Sequence, residues 1–265
     1  MQRIQSSSSI NTFRQCPRKY YYRYIEKLPT KKNIHLIRGG ATHTTLEDFF
    51  DIDSSITDVD SLRMHLFLLF DKHWASKHEE LLELDMSERK IDGYYKETKE
   101  MLANWFRRFR KKLSASMKRG NSFRQAFEDL TPIREEHYLS KDHGVQGYMD
   151  VVFETDNNTI ILDYKTSKKG ELKEDYKLQL GIYALLYKDK KGLFPDFVGI
   201  DFLKHSEIVI PVQDKLVENA KEEIKIIHDK TTTENIEDYP MKPGPLCKWR
   251  TGQCDFYEKC FPNGR

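Results

Sequence analysis

A chain of 265 residues, 38% hydrophobic and 32% charged, is long enough to bury one large core, which excludes a peptide hormone or a disulfide knot. No apolar run approaches the roughly 18 residues that a membrane span needs, and the polar, Ser-rich opening over residues 1–10 lacks the basic patch and apolar stretch of a secretory signal, so a cytoplasmic, reducing location is expected. Lys and Arg total 44 against 42 Asp and Glu, a formal +2, so global charge identifies no polyanionic partner and local charge has to be read instead.

Ser6 to Ser9 offer N-cap hydroxyls before a helical pattern running to about Tyr24. That pattern opens a basic stretch over 14–32, with Arg14, Arg18, Lys19, Arg23, Lys27, Lys31 and Lys32 against the single acid Glu26, interleaved with Phe13, Tyr20, Tyr21, Tyr22 and Tyr24. Thr42 or Thr44 marks the start of another helix, with Leu46, Phe49 and Phe50 on one side. Leu62, Leu66, Leu69, Phe70 and Trp74 recur at helical spacing, as do Ile91, Tyr95, Leu102, Trp105, Phe106, Phe109 and Leu113, and both stripes read as core. The second carries Arg107, Arg108, Arg110, Lys111, Lys112, Lys118 and Arg119 with no acid over 107–119. Cations interleaved with rings suit single-stranded nucleic acid, although solvated helix faces with tyrosines in the core account for either stretch taken alone.

Gly120 and Asn121 break the basic helix, and after Pro132 the period changes. Residues 133–139, 145–154 and 160–165 read as a strand meander, followed by a helix over 172–187, strands over 198–203 and 208–212, and a helix over 215–228. Helices, a sheet and more helices make an α/β or α+β domain with an N-terminal helical elaboration. No repeat, low-complexity tract or long linker divides the chain, so 1–265 is read as one domain and 51–130 as that elaboration.

Asp150 falls late in one predicted strand and Asp163 late in the next, with Lys165 following across one residue. Side chains two apart on a strand share a face, so Asp163 and Lys165 point together and a neighbouring strand can bring Asp150 beside them. Two hard carboxylates suit Mg²⁺ or Mn²⁺, and an adjacent ammonium can orient or help deprotonate a metal-bound water and stabilise charge building on a phosphate. A D-x-K triplet alone is more often a solvated ion pair. Here the apolar run Ile160, Ile161, Leu162 precedes it, and charges leaving a buried strand need a partner such as a metal.

These residues stand in a longer order. Gly39-Gly40-Ala41-Thr42-His43, Gly147-Tyr148-Met149-Asp150, Ile161-Leu162-Asp163-Tyr164-Lys165-Thr166, and Gln179 with Tyr183 form the series GxxxH, GxxD, DxK, QxxxY. The series resembles the RecB-type branch of the PD-(D/E)XK nucleases over residues 6–260. The resemblance implies an α/β fold, a central mixed sheet flanked by helices in a restriction-endonuclease-like core, and a metal site of His43, Asp150, Asp163 and the Tyr164 carbonyl. It also implies that Lys165 is the catalytic lysine and that Gln179 and Tyr183 line the site or touch DNA; packing on one amphipathic helix face accounts for that last pair almost as well. Glu135 and Glu136 precede Asp150 by one strand, where the family often has an acid reaching the metal. Alternation lets only one of them face the site, and Glu136 is preferred.

Cys16 stands alone, while Cys247, Cys254 and Cys260 form C-x6-C-x5-C. Four cysteines in a reducing compartment point to metal more than to disulfides. Structural zinc favours close C-x2-4-C pairs, which are absent, whereas an iron-sulfur cluster takes four thiolates at wider spacing. The one-plus-three arrangement is similar to that of iron-sulfur members of the same nuclease branch, including CRISPR-adaptation nucleases and the AddB nuclease domain, and implies a 4Fe-4S cluster. Closing so long a loop costs roughly 5 kcal/mol, less than the about 10–16 kcal/mol of zinc binding in finger peptides. The cluster is therefore expected to staple the N-terminal basic helix to the 247–260 tail.

The first functional reading is a Mn²⁺- or Mg²⁺-dependent DNA nuclease, an exonuclease on single-stranded DNA or frayed ends, held to the backbone by Arg14, Arg18, Tyr20, Arg107, Arg108, Arg110 and Lys111. A non-catalytic nucleic-acid-binding or assembly subunit that kept the fold is the alternative, and a zinc-stabilised interaction domain is a third class. The absence of GxxxxGK(S/T) makes any helicase, recombination or adaptation motor a separate partner. Cleavage polarity and oligomeric state stay open.

Overall fold

The structure, a computed structural model, describes residues 3–250 and 252–262. Met1, Gln2, Thr251 and residues 263–265, which the single-domain expectation also covers, lie outside the described residues. Ahead of the sheet run α1 (Ser7–Gln15), α2 (Pro17–Tyr20), a π-helical turn (Tyr21–Ile25), α3 (Ile34–Asp48), α4 (Val59–Ala75), α5 (His78–Leu82), α6 (Glu88–Lys118) and α7 (Phe123–Glu128). The sheet is ordered β1 (Ile133–Ser140), β2 (Val145–Glu154), β3 (Thr159–Lys165), β4 (Phe197–Phe202) and β5 (Glu207–Pro211), with α8 (Glu174–Lys191) between β3 and β4 and α9 (Asp214–Lys230) after β5.

β1, β2 and β3 form the expected antiparallel meander. β4 lies parallel to β3, an arrangement no tight turn can make, so α8 supplies the crossover, and β5 returns antiparallel. The result is the mixed sheet flanked by helices that the sequence predicts. On one face Met149, Val152, Ile161, Val198 and Ile200 bury against Leu180 and Ala184 of α8 and share their core with Ala220 and Ile224 of α9. Gly181 permits the two helices to touch, since a Cβ there would stand 2.7 Å from the Leu216 carbonyl oxygen. On the other face Val151, Leu162 and Tyr164 share a second core with Leu46 of α3, Leu66 of α4, and Trp105 and Phe109 of α6. The 51–130 stretch thus covers one side of the sheet. Among the described residues, no helix is long and apolar enough to cross a membrane.

Four expectations are corrected. The first helix does not run on to Tyr24: it ends before Cys16, whose backbone is extended (φ −162, ψ 113), because Pro17 disfavours a helical residue before it and starts α2 instead. Thr42 and Thr44 do not open a helix, because α3 already starts at Ile34, where the Asn33 side chain accepts from the His35 and Leu36 N–H groups, and runs straight through Gly39 and Gly40. Tyr20 is fully buried, stacked on Tyr239 and hydrogen-bonded by Gln5, so its ring is not offered to nucleic acid. Arg108 is half-buried, ion-paired to Asp201 of β4 and hydrogen-bonded to the His205 carbonyl, so its charge is committed inside the fold.

Burial pushes the Asp201 carboxyl up to about 6, against the opposing pull of the Arg108 guanidinium. An acid whose folded pKa lies above its unfolded value contributes less stability as pH rises through that interval, and removing the guanidinium widens the interval. Arg108→Ala should therefore lose up to about 3 kcal/mol in urea unfolding near pH 8, and distinctly less at pH 5, where Asp201 can take up a proton. An equal loss at both pH values would show that the ion pair is not the cause.

Candidate functional site

β1 and β2 change face side by side. Glu135 adopts a left-handed backbone (φ 46) and falls between the Arg134–Val151 and Glu136–Met149 pairs of the ladder. Met149 lies in the core under α8 while Val151 lies in the core under α6, although strict alternation would put both on one side. Asp150 sits at that switch, and both it and Glu135 turn toward α3. There His43, in the third turn, brings Nδ1 to 3.3 Å from Asp150 Oδ1 and 3.9 Å from Glu135 Oε1. The ligand atoms of these three residues lie within 4.8 Å of one another. His43 Nε2 stands 3.1 Å from the Tyr164 carbonyl, and the Tyr164 N–H donates to Asp150 Oδ2 at 2.6 Å.

Asp163 and Lys165 emerge from β3 on the α8 side as an ion pair. Gln179 Nε2 and the Tyr183 hydroxyl, one turn apart on α8, donate to Asp163 Oδ1 at 2.8 and 3.2 Å, and Gln179 also donates to Tyr183. Gly147 makes room for this ring: a Cβ there would come 3.1 Å from Tyr183 Cε1. Gln179 and Tyr183 thus line the site by fixing a carboxylate.

The groups titrate together. Burial alone would push the His43 imidazole down, but Asp150, Glu135 and Asp163 outweigh it and raise it to about 10. Burial raises Asp150, and the charge of Asp163 adds to this. Lys165 is half-buried, which works against its charge, yet Asp163 and Asp150 hold its ammonium above the ordinary lysine value. The imidazole of His43 meeting the carboxylates of Glu135 and Asp150 is a mainly hard donor set, which fits Mg²⁺ or Mn²⁺.

Glu136 is a correction. It turns to the α8 side and pairs with Lys190 at 2.6 Å, whereas the neighbouring Glu135 joins His43 and Asp150. Alternation lets only one of the two face α3, and with Glu136 opposite Met149 on the α8 side that residue is Glu135. Arg38 and Glu97 were not anticipated: buried Arg38 donates to Glu97 at 2.9 Å and to the Thr166 carbonyl at 2.7 Å, tying α3 and α6 to the chain just beyond Lys165. Their sequence positions carry no signal, because their partners lie far along the chain. Of the expected backbone-binding residues, Arg107, Arg110 and Lys111 are exposed on α6. Arg14 pairs with Asp175 and Glu223, and Arg18 donates to the Tyr239 carbonyl.

Cys16, Cys247, Cys254 and Cys260 are free thiols lining one pocket between the α1–α2 break and the tail. Burial raises the Cys254 and Cys260 thiols, with Cys16 adding to Cys260. Among the described residues they do not form a group of three with ligand atoms within 4.8 Å of one another.

A family model described as the PD-(D/E)XK nuclease superfamily matches residues 5–261. Over 100 residues the chain is 36% identical to the RecBCD enzyme subunit RecB of Borreliella burgdorferi, an alignment covering 31% of this chain and 8% of that protein. The crystal structure of the "Putative exonuclease" from Eubacterium rectale superposes with a TM-score of 0.53 at 13% identity, covering 93% of this chain and 86% of the other, which is a likeness of fold.

Exchange of the two adjacent glutamates separates their roles. Glu135→Gln should weaken Mn²⁺ binding in calorimetric titration by about tenfold or more, and Glu136→Gln should leave it unchanged. The reverse order would return the site acid to Glu136.

Proposed function

Because the chain belongs to the PD-(D/E)XK nuclease superfamily, we propose that it is a divalent-metal-dependent DNA nuclease that trims single-stranded DNA or frayed ends as an exonuclease. The observation that carries this reading is the meeting of His43, Glu135 and Asp150 beside the Asp163–Lys165 pair at one end of the sheet. His43, Asp150, Asp163 and the Tyr164 carbonyl, joined by Glu135, would hold Mn²⁺ or Mg²⁺. When bound, such an ion supplies Lewis acidity to the phosphate and a water of lowered pKa.

The chain's own residues supply the rest. Lys165 stays an ammonium under the influence of Asp163 and Asp150, so its role is to meet negative charge developing on the phosphate, more than to remove a proton. Gln179 and Tyr183 fix Asp163, keeping the carboxylate and the ammonium in register. The exposed Arg107, Arg110 and Lys111 hold the backbone without reading sequence, which makes binding salt-sensitive. The partial likeness to a RecBCD subunit supports a helicase or recombination partner, and the low apolar content supports a cytoplasmic setting.

We assign the four cysteines to a 4Fe-4S cluster that staples the α1–α2 break to the tail. The pocket that the four thiols share supports this. The staple shapes the fold and takes no part in the cut.

End-labelled single-stranded DNA should be degraded by anaerobically purified protein only with Mn²⁺ or Mg²⁺, and Lys165→Ala should lower the rate by roughly 10²–10³-fold while keeping DNA binding. DNA bound but never cut would favour a non-catalytic binding subunit. Serine at any of Cys16, Cys247, Cys254 or Cys260 should lower the iron content of the purified protein; unchanged iron would remove that residue from the ligand set.

A further inference from the structure

Tyr148 breaks the burial pattern of β2. Val145 and Met149 on the same strand are fully buried, yet Tyr148 leaves 59% of its surface in solvent. The neighbouring Gly147 faces α8, where its missing Cβ would meet Tyr183 and Leu186. Tyr148 therefore faces the opposite side of the sheet, the side of α3 and His43. His137 stands across from it in the β1–β2 ladder, ring centroids 4.7 Å apart and planes inclined at 32°. Gln146 Oε1, 3.2 Å from His137 Nε2, fixes the imidazole from its other edge. The Tyr148 ring is thus braced from behind and open in front.

Position gives the ring its meaning. Asp150 lies two positions beyond Tyr148 on the strand, a distance of about 7 Å, comparable to one stretched nucleotide. A phosphate held at Asp150 and His43 would bring the base of an adjoining nucleotide to this ring. A flat aromatic with two side-chain torsions loses little entropy when a base stacks on it, and such stacking tolerates every base. A base inside a duplex is covered on both faces and reaches the ring only after leaving its stack.

We propose that Tyr148, backed by His137, is the stacking platform for the nucleobase next to the phosphate at the His43–Asp150–Asp163 site, and that it selects unpaired strands. This assignment rests on the nuclease reading above. Tyr148 is a positioning residue: it holds the strand in register and leaves the reacting atoms to the metal site.

The test uses the full-length protein and oligonucleotides carrying one abasic residue at successive positions from either labelled end. In single-turnover cleavage, wild type should lose roughly 5- to 150-fold when the abasic residue occupies one particular register, the range expected for losing one base–aromatic stack. Tyr148→Val, whose β-branched side chain suits the strand, should lose a similar factor on intact DNA and lose nothing further from the abasic residue. Tyr148→Phe should restore the wild-type rate and the wild-type response. If Tyr148→Val responds to the abasic series as wild type does, the platform is overturned while the nuclease stands. A binding arm separates the two failures: Ca²⁺ replaces Mn²⁺, and a 2-aminopurine oligonucleotide reports stacking by its quenched fluorescence. If no substrate is ever cut, the nuclease reading falls. The platform then survives if quenching is seen with wild type and Tyr148→Phe but not with Tyr148→Val, and falls if all three behave alike.

Discussion

The site depends on where one hydrogen-bonded ladder stops. β2 and β3 pair no further than Val151–Leu162, so the backbone N–H and C=O of Tyr164, buried and still in need of partners, turn to side chains. Asp150 takes the N–H and His43 approaches the carbonyl. A strand end that would otherwise leave two polar groups unsatisfied becomes the joint between β2, β3 and α3. The face switch at Glu135 and Asp150 releases the carboxylates for this purpose, and Gly147 clears the opposite side so that α8 can reach Asp163.

The charges around that joint compensate one another. The His43 imidazole and the Lys165 ammonium lie among the carboxylates of this site, and each cation is raised despite the burial that opposes it. Buried charge is tolerated only when paired, so the arrangement holds together before any ion arrives. Arg38 adds a further layer: by pairing with Glu97 and capping the Thr166 carbonyl, it anchors the segment leaving Lys165 to the helices on the far face.

The sequence reveals spacing well and backbone handedness poorly. Asp163 and Lys165 share a face because a strand repeats every two residues, and Gln179 and Tyr183 share one because a helix repeats every four, so both pairs are legible. His43 is legible as a site residue from its motif, but not as a mid-helix one, since Gly39 and Gly40 look like a break and are in fact helical. Glu135 is hidden because alternation fails only where a residue goes left-handed, and nothing in Glu-Glu announces that. Tyr20 and Arg108 look like nucleic-acid contacts for a related reason. A ring or a guanidinium shows its charge and shape in the sequence, whereas Tyr239 and Asp201, which claim them, are distant in the chain.

His43 and the Tyr164 carbonyl are separated by 121 positions, and every strand that delivers an acid is made after α3. During synthesis the histidine therefore exists long before the groups that face it. No local segment contains a working subset, because α3 alone brings only His43 of the group and the β2–β3 hairpin alone has no covered face on which to bury its carboxylates. Contacts of such high sequence separation form late, so assembly of the site and completion of the fold coincide. A partly made or partly folded chain therefore holds these donors apart, and the group of His43, Glu135 and Asp150 exists only in the finished fold.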